Sequence, residues 1–281
     1  MPGASMNEIK ARIKSVGNTM QITRAMELVA TSKLRRAREE AEAAEEFCRV
    51  YERAVFPLIS AARDSFVGED TAEGGDILYI VVAGDRGLAG GFNSNIFRLV
   101  GSASASENAV FLGIGKKTVE YFIRTEKRLL NEGKYANEVD MQYCSAIAQE
   151  ICRDFREGKF SRVELIYTRF ESMLSQIPQR RRLLPFDVDA FEGEATPFDA
   201  VTDGDIDSLA EAVIPEYIAC RIRCGVCQSI ASESAARRTA MNSANRNAEE
   251  MIDSLTLNYN RARQALITRE ITEIVSGAGA L

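Results

Sequence analysis

Three cysteines late in the chain, Cys220-x3-Cys224-x2-Cys227, have a spacing that can hold an iron–sulfur cluster through three thiolates. Steps of four and three also put all three on one face of a helix, where cysteine serves as a small apolar residue. The surrounding segment is helix-periodic, so the second reading is preferred. Gly84-Asp85-Arg86-Gly87-Leu88-Ala89-Gly90-Gly91 follows an apolar run, the place where dinucleotide-binding folds set their phosphate loop. Its spacing is neither G-x-G-x-x-G nor G-x-x-x-x-G-K-S/T, and no acidic residue closes a plausible second strand at the expected distance. A tight turn that needs glycine for its backbone explains it better. The chain has no histidine, so the commonest general base and metal ligand are both missing. These patterns lead us to expect no catalytic residue, no cofactor and no metal.

The totals agree with a thin chemical toolkit. The chain has 281 residues, 46% of them apolar, and a net charge of −6, which gives no basic surplus for nucleic acid. No apolar run approaches the roughly 20 residues that cross a bilayer. Charged helical sequence begins by Glu8 and Lys10, so no signal peptide is expected. The six cysteines are too scattered for a secreted disulfide framework and fit a reducing compartment.

The first element reads as one long helix. Ser5-Met6-Asn7-Glu8 has the form of a capping box. From there to about Ser60, small or apolar residues recur at Ile22, Met26, Val29, Ala37, Ala41, Ala44, Cys48, Tyr51, Val55 and Leu58, with a gap around Lys33 and Leu34. Such a narrow stripe is a coiled-coil seam. The last element, from about Ser208 to Ser276, keeps the same rhythm at Met241, Ala244, Ala248, Ile252, Leu255, Tyr259, Ala262 and Leu266, with Gly277 as its stop. Neither stripe can be buried alone, so the two ends should wrap around each other. Between them Ile77–Ala83, Ala109–Gly115 and Arg162–Glu171 read as strands, with an edge strand at Leu183–Phe191. Helices are expected near Ile96–Val100, at Lys116–Arg124 and at Asp140–Arg156, and Glu192–Asp207 is a linker. The expected fold class is α/β. A small Rossmann-like, mostly parallel sheet domain (75–192) joins an antiparallel two-helix coiled coil made of segments 1–60 and 208–281.

Residues 8–38 carry eight basic side chains, among them Lys33, Arg35, Arg36 and Arg38, before Glu39, Glu40, Glu42, Glu45 and Glu46 reverse the sign. This basic collar suits either a solvated helix face or an acidic partner surface around a thin rod. The last residues, Ile274, Val275, Ser276, Gly277, Ala278, Gly279, Ala280 and Leu281, carry no side-chain charge, which suggests a tip held inside something.

At three separated blocks the sequence resembles the γ subunits of F-type ATP synthases. They are Ile9-Lys10-x-Arg12-Ile13-x-Ser15-Val16 with Gln21-Ile22-Thr23-Arg24-Ala25-Met26-Glu27-Leu28, then Asp85-Arg86-Gly87-Leu88-x-Gly90-Gly91-x-Asn93, then Leu255-Thr256-Leu257-x-Tyr259-Asn260-Arg261-Ala262-Arg263-Gln264-Ala265 on to Gly277-Ala278. The resemblance implies a non-catalytic central rotor of a proton-translocating enzyme. Its partners would be the α and β subunits of a hexamer, the ε subunit and the c-ring, with only indirect membrane contact at the cytoplasmic face of a bacterial cell membrane. By position, Met26, Arg237, Gln264, Thr268 and Glu270 would face the catch regions of β. Lys33, Arg35, Arg36 and Arg38 would face its acidic loop, and Ile274, Val275, Ala278, Ala280 and Leu281 would form the bearing tip. Ala89 and Arg238 depart from the pattern, which usually has cysteine and methionine there. Nothing corresponds to the inserted cysteine pair of the chloroplast form, so no thiol switch is expected.

The alternatives are a nucleotide-binding α/β protein with a coiled-coil oligomerisation arm, and a self-associating coiled-coil scaffold. Pairing of the chain's own ends predicts a monomer by light scattering of the isolated chain, whereas a stable homodimer would favour the scaffold.

Overall fold

The computed structural model describes residues 6–61, 75–104, 108–130, 133–186 and 206–278. The elements are α1 (Met6–Ala61), β1 (Asp76–Val82), α2 (Phe92–Ala103), β2 (Ala109–Ile114), α3 (Lys116–Arg124), β3 (Arg128–Leu129), α4 (Met141–Arg156), β4 (Phe160–Phe170), β5 (Gln176–Leu184) and α5 (Ile206–Ala278). Ser5 of the capping box, residues 187–191 of the expected edge strand, residues 192–205 of the expected linker, Ala280 and Leu281 lie outside the described residues. The chain divides into two units, one formed by 1–30 with 238–281 and one by 31–237.

In the larger unit the sheet order is β3-β2-β1-β4-β5, parallel throughout except for the antiparallel β4–β5 pair. Central β1, Ile-Leu-Tyr-Ile-Val-Val, is branched and apolar because it is covered on both faces. Its alternation splits the core into two layers. Ile77, Tyr79 and Val81 pack with Phe111, Ile96, Val100 and Phe122 under α2 and α3. Leu78, Ile80 and Val82 face Ile147, Ile151 and Phe155 of α4 and Ile214, Ile218 and Ile222 of α5. Val55 and Ile59 of α1 complete that second layer.

β5 runs from Gln176 to Leu184, earlier than the expected Leu183–Phe191. Its sequence, Gln-Ile-Pro-Gln-Arg-Arg-Arg, hides a strand because edge strands tolerate proline and charge. Two of its three arginines find partners there. Arg180 pairs with Glu164, a carboxylate buried in the middle of the sheet, and Arg181 reaches Glu52 of α1 at 2.7 Å. Glu52 also accepts from the Tyr217 hydroxyl at 3.0 Å and pairs with Arg221, so one half-buried carboxylate ties α1, β5 and α5.

β4 outlasts β1, and its final backbone groups would lack partners on that side. Polar side chains of α5 take over the ladder. Gln228 Oε1 accepts from the Phe170 amide at 2.9 Å, Ser229 Oγ from the Thr168 amide at 3.1 Å, and Ser232 donates to the Thr168 carbonyl at 3.2 Å. The helix comes this close because Gly225 faces Leu165 and Tyr167 of β4; a β-carbon there would stand 3.0 Å from Leu165 Cδ2.

In the same unit Ala37, Ala41, Cys227 and Ala231 form a small-residue seam between α1 and α5. The smaller unit is a helix pair. Arg24 pairs with Glu249, and Glu27 accepts from Asn242 and Asn245, so numbering rises on one helix as it falls on the other and the pair is antiparallel. Here the expected stripe on α1 is out of phase. Ile22 and Val29 are exposed, while Ala30 and, in the larger unit, Leu34 are buried. Thr23 and Glu27 occupy seam-side positions through hydrogen bonds to asparagine, and a purely apolar stripe overlooks them. The α5 stripe is sheltered from Met241 to Ala262, whereas Leu266 is exposed.

Gly225→Val should lower stability by about 1–3 kcal/mol through overpacking against β4. Urea unfolding followed by circular dichroism checks this; an unchanged midpoint would mean that α5 does not approach the sheet so closely.

Candidate functional site

The turn after β1 shows what its glycines are for. Asp85 accepts hydrogen bonds from the amides of Lys116 (3.1 Å), Ala136 (2.9 Å) and Asn137 (3.3 Å) and from the Asn137 side chain (2.7 Å). Asn93 Oδ1 accepts from the Gly84 amide at 2.9 Å, and its Nδ2 donates to the Arg86 carbonyl. Two amides around the turn, those of Gly84 and Lys116, are thus held by the chain's own side chains. Gly84 is required by close approach, since a β-carbon there would meet Glu233 Cδ at 2.9 Å. Glu233, 6% exposed, pairs with Arg237, whose guanidinium also donates to the carbonyls of Gly87 (3.2 Å) and Arg86 (3.5 Å). The turn is therefore a junction that clamps β1, α3 and α5 together. The pair was readable in principle from the four-residue Glu233–Arg237 spacing; Asp85 as a hub was not.

Beside this junction lies an open groove of about 880 Å³, lined among others by Lys33, Arg36, Arg86, Lys116, Arg223 and Arg237. Three of its carboxylates are committed within the chain. Asp85 holds the amides above, Asp140 caps α4 through the Tyr143 amide at 2.8 Å, and Glu233 pairs with Arg237. Lys33, Arg36 and Arg86 are exposed. The structure thus brings Lys33, Arg36 and Arg237 of the expected contact set to one groove. Arg35 and Arg38 are exposed outside it, and Arg38 pairs with Glu42 at 2.6 Å. Arg86, Lys116 and Arg223 join the groove from segments that sequence spacing alone does not bring near the collar.

In the smaller unit Met26 is half-buried beside the α5 stretch 242–249. Gln264, Thr268 and Glu270 are exposed about 30 Å further along the helix axis, so these expected contacts do not share one site. Thr268 donates back to the Gln264 carbonyl at 2.9 Å. Residues 263–276 of α5 are exposed without exception, and they include Leu266, Ile267, Ile271, Ile274 (70%) and Val275 (65%). Ile22, Leu28 and Val29 of α1 and Met251 and Leu257 of α5 are exposed as well. A helix pair with apolar residues on outward faces, ending in a helix that exposes five large apolar side chains among its charged ones, has the surface of an element that partners cover. Of the expected tip, Ile274 and Val275 are described, and the side chain of Ala278 lies outside the described residues.

The cysteines offer no cluster site. Burial pushes the Cys224 thiol up to about 11 and those of Cys144 and Cys152 up to about 12, so they stay protonated near neutral pH. Among the described residues no group of His, Cys, Asp or Glu could hold a metal ion. Cys48 and Cys220 depart from the expected role of isolated small residues, because their sulfurs are in disulfide contact across the α1–α5 seam.

A family model described as ATP synthase matches residues 5–281. The chain is 43% identical to the ATP synthase gamma chain of Ruminococcus albus over 98% of both chains. It is 38% identical to that of Paracoccus denitrificans, over 99% of each. The ATP synthase gamma chain, sodium ion specific, of Acetobacterium woodii is 36% identical over 99% of each. The fold is similar to that of a chain in a cryo-EM structure of Euglena gracilis mitochondrial ATP synthase (OSCP/F1/c-ring), with TM-score 0.72, 18% identity, and 98% and 94% of the two chains covered. The chain belongs to the ATP synthase gamma-chain family.

Arg237→Ala should leave Glu233 buried without its cation and loosen the turn. Stability should fall by about 1–3 kcal/mol, with faster amide exchange at Gly87 and Leu88. Exchange that stays at the wild-type rate would mean that Arg237 does not hold the turn.

Proposed function

We propose that this chain is the central rotor of an ATP synthase and performs no bond chemistry itself. In this reading 1–60 and 208–281 form the shaft and 75–192 the foot. One observation carries it: the helix pair and the far end of α5 present large apolar side chains to the outside, and the sequence has no histidine. A shaft that turns within a sleeve requires such a surface; an enzyme does not.

The partners follow from the family. A hexamer of α and β subunits would enclose the helix pair, with Ile274, Val275, Ala278, Ala280 and Leu281 in an apolar bearing. The ε subunit and the ring of c subunits would hold the foot at the cytoplasmic face of the cell membrane, in a peripheral position. Among the described residues no helix is long and apolar enough to cross a membrane. Met26, Gln264, Thr268 and Glu270 would meet the β catch regions at different heights on the shaft. Lys33, Arg35, Arg36 and Arg38 would face the acidic β loop. Arg237, held by Glu233 and the turn, would act there by fixing the groove more than by reaching out. The work would be allosteric, because an asymmetric shaft contacts otherwise identical sites differently at each angle and shifts their nucleotide affinities in turn.

Co-expression with α and β subunits of a bacterial relative tests this by size-exclusion light scattering and ATP hydrolysis. The expected result is one complex with three α, three β and one copy of this chain, whose activity requires it. Elution of the chain alone, with hydrolysis indifferent to it, would refute the proposal. Within such a complex, Lys33→Glu with Arg36→Glu should reduce hydrolysis about tenfold or more, since each reversal replaces attraction by repulsion. Full activity would place the acidic loop elsewhere.

A further inference from the structure

The α1–α5 seam of the larger unit contains a compact cysteine cluster. Cys48, Cys220 and Cys224 pack together beside Ala44, closed off from the apolar layers of the sheet. Cys48 is 2% exposed and Cys220 4%. Their Cα atoms are 5.9 Å apart, the separation at which a disulfide spans two backbones without moving them. The two residues are separated by 172 positions, so a bond between them would close a loop of more than half the chain. Cys224 sits one helical turn beyond Cys220, while Cys144, Cys152 and Cys227 belong to other clusters.

We propose that Cys48 and Cys220 form a redox-dependent covalent staple between the two terminal helices. The oxidant is a low-molecular-weight disulfide such as oxidised glutathione. The Cys48 thiolate attacks one sulfur of that disulfide and releases the first glutathione thiolate. The Cys220 thiolate then attacks the Cys48 sulfur of the mixed disulfide and expels the second. Two cysteine thiols thereby lose two protons and two electrons, and one glutathione disulfide becomes two thiols. Both sulfurs are covered in the folded chain, so exchange requires the seam to open. The bond therefore forms as the helices come together and is shielded afterwards. Under reducing conditions the same seam is held by packing and by noncovalent contacts such as those of Glu52 with Tyr217 and Arg221.

The consequence is mechanical. α1 and α5 meet at this level through small side chains, and only noncovalent contacts, such as those of Glu52 with Tyr217 and Arg221, resist sliding or separation. A covalent link prevents both, and by closing so long a loop it restricts the unfolded chain strongly. The staple goes beyond the rotor reading and does not depend on it.

The full chain, unfolded and then refolded in glutathione buffers of graded oxidised-to-reduced ratio, tests it. Remaining thiols are tagged with a maleimide after denaturation, and the peptides are mapped by mass spectrometry. At oxidising ratios two cysteines should escape tagging, and the linked peptides should carry Cys48 and Cys220. Cys48→Ala and Cys220→Ala should each abolish the link, and Cys224→Ala should keep it. In the folded chain dithiothreitol should open the bond at least about tenfold more slowly than in denaturant, because the attacking thiolate lacks access. Reduction should lower the melting temperature by about 5 °C or more. Complete tagging at every ratio, a bond from Cys48 to Cys224, or equal reduction rates in the folded and unfolded chain would each overturn the proposal. Should an alanine variant fail to fold, the mapped wild-type peptides and the two reduction rates decide alone.

Discussion

Everything in the larger unit hangs on how closely α5 can approach its neighbours. On one side it meets α1 through alanine and cysteine, and on the other it meets β4 through Gly225. Small side chains trade apolar area for proximity, and the proximity is then used by polar groups. Gln228 and Ser229 can complete the β4 ladder only because the helix backbone lies so near it. Glu233 can reach the β1 turn only because Gly84 leaves room. Buried polar groups satisfied in this way fix one register, since a slip along the helix would strand several of them at once. The fold therefore specifies how its long helix is seated on the sheet, which a uniform apolar face would not do.

Much of this was legible in the sequence, and the failures have physical causes. The continuous apolar runs gave β1 and β2, and the stretch Asp140–Arg156 gave α4, whose cap proves to be Asp140. The three-four rhythm found α5 correctly from Met241 to Ala262, because that side of the pair is largely apolar. On α1 the same rule found Ala37, Ala41, Cys48, Val55 and Leu58, which are buried, but also chose Ile22 and Val29, which face outward. Where an element is apolar on more than one side, periodicity loses its phase. That ambiguity is itself informative, since apolar residues left outside the seam need some other cover. β5 was misplaced for the opposite reason, two of its arginines serving carboxylates that lie far away in sequence.

The candidate contact residues divide in the same way. The basic collar was visible as a run of charge, but its grouping with Arg86, Lys116 and Arg223 depends on the tertiary fold. Arg237 was singled out for an outward role, and within the chain it is engaged by Glu233 and two carbonyls. The glycine-rich turn that looked able to cradle a phosphate has its Gly84 amide held by Asn93 and its Asp85 carboxylate bound to the Lys116 and Ala136 amides. A motif read without its surroundings reports what a backbone could bind; only the fold shows what it already holds.

A shaft that turns inside a ring of partners can be watched directly. The decisive measurement is single-molecule observation of an α3β3 complex with this chain, fixed to a surface through β and carrying a probe on the larger unit. For a rotor, the probe turns in one direction while ATP is hydrolysed and stops when ATP is withdrawn. A probe that stays fixed during sustained hydrolysis would contradict the rotor reading.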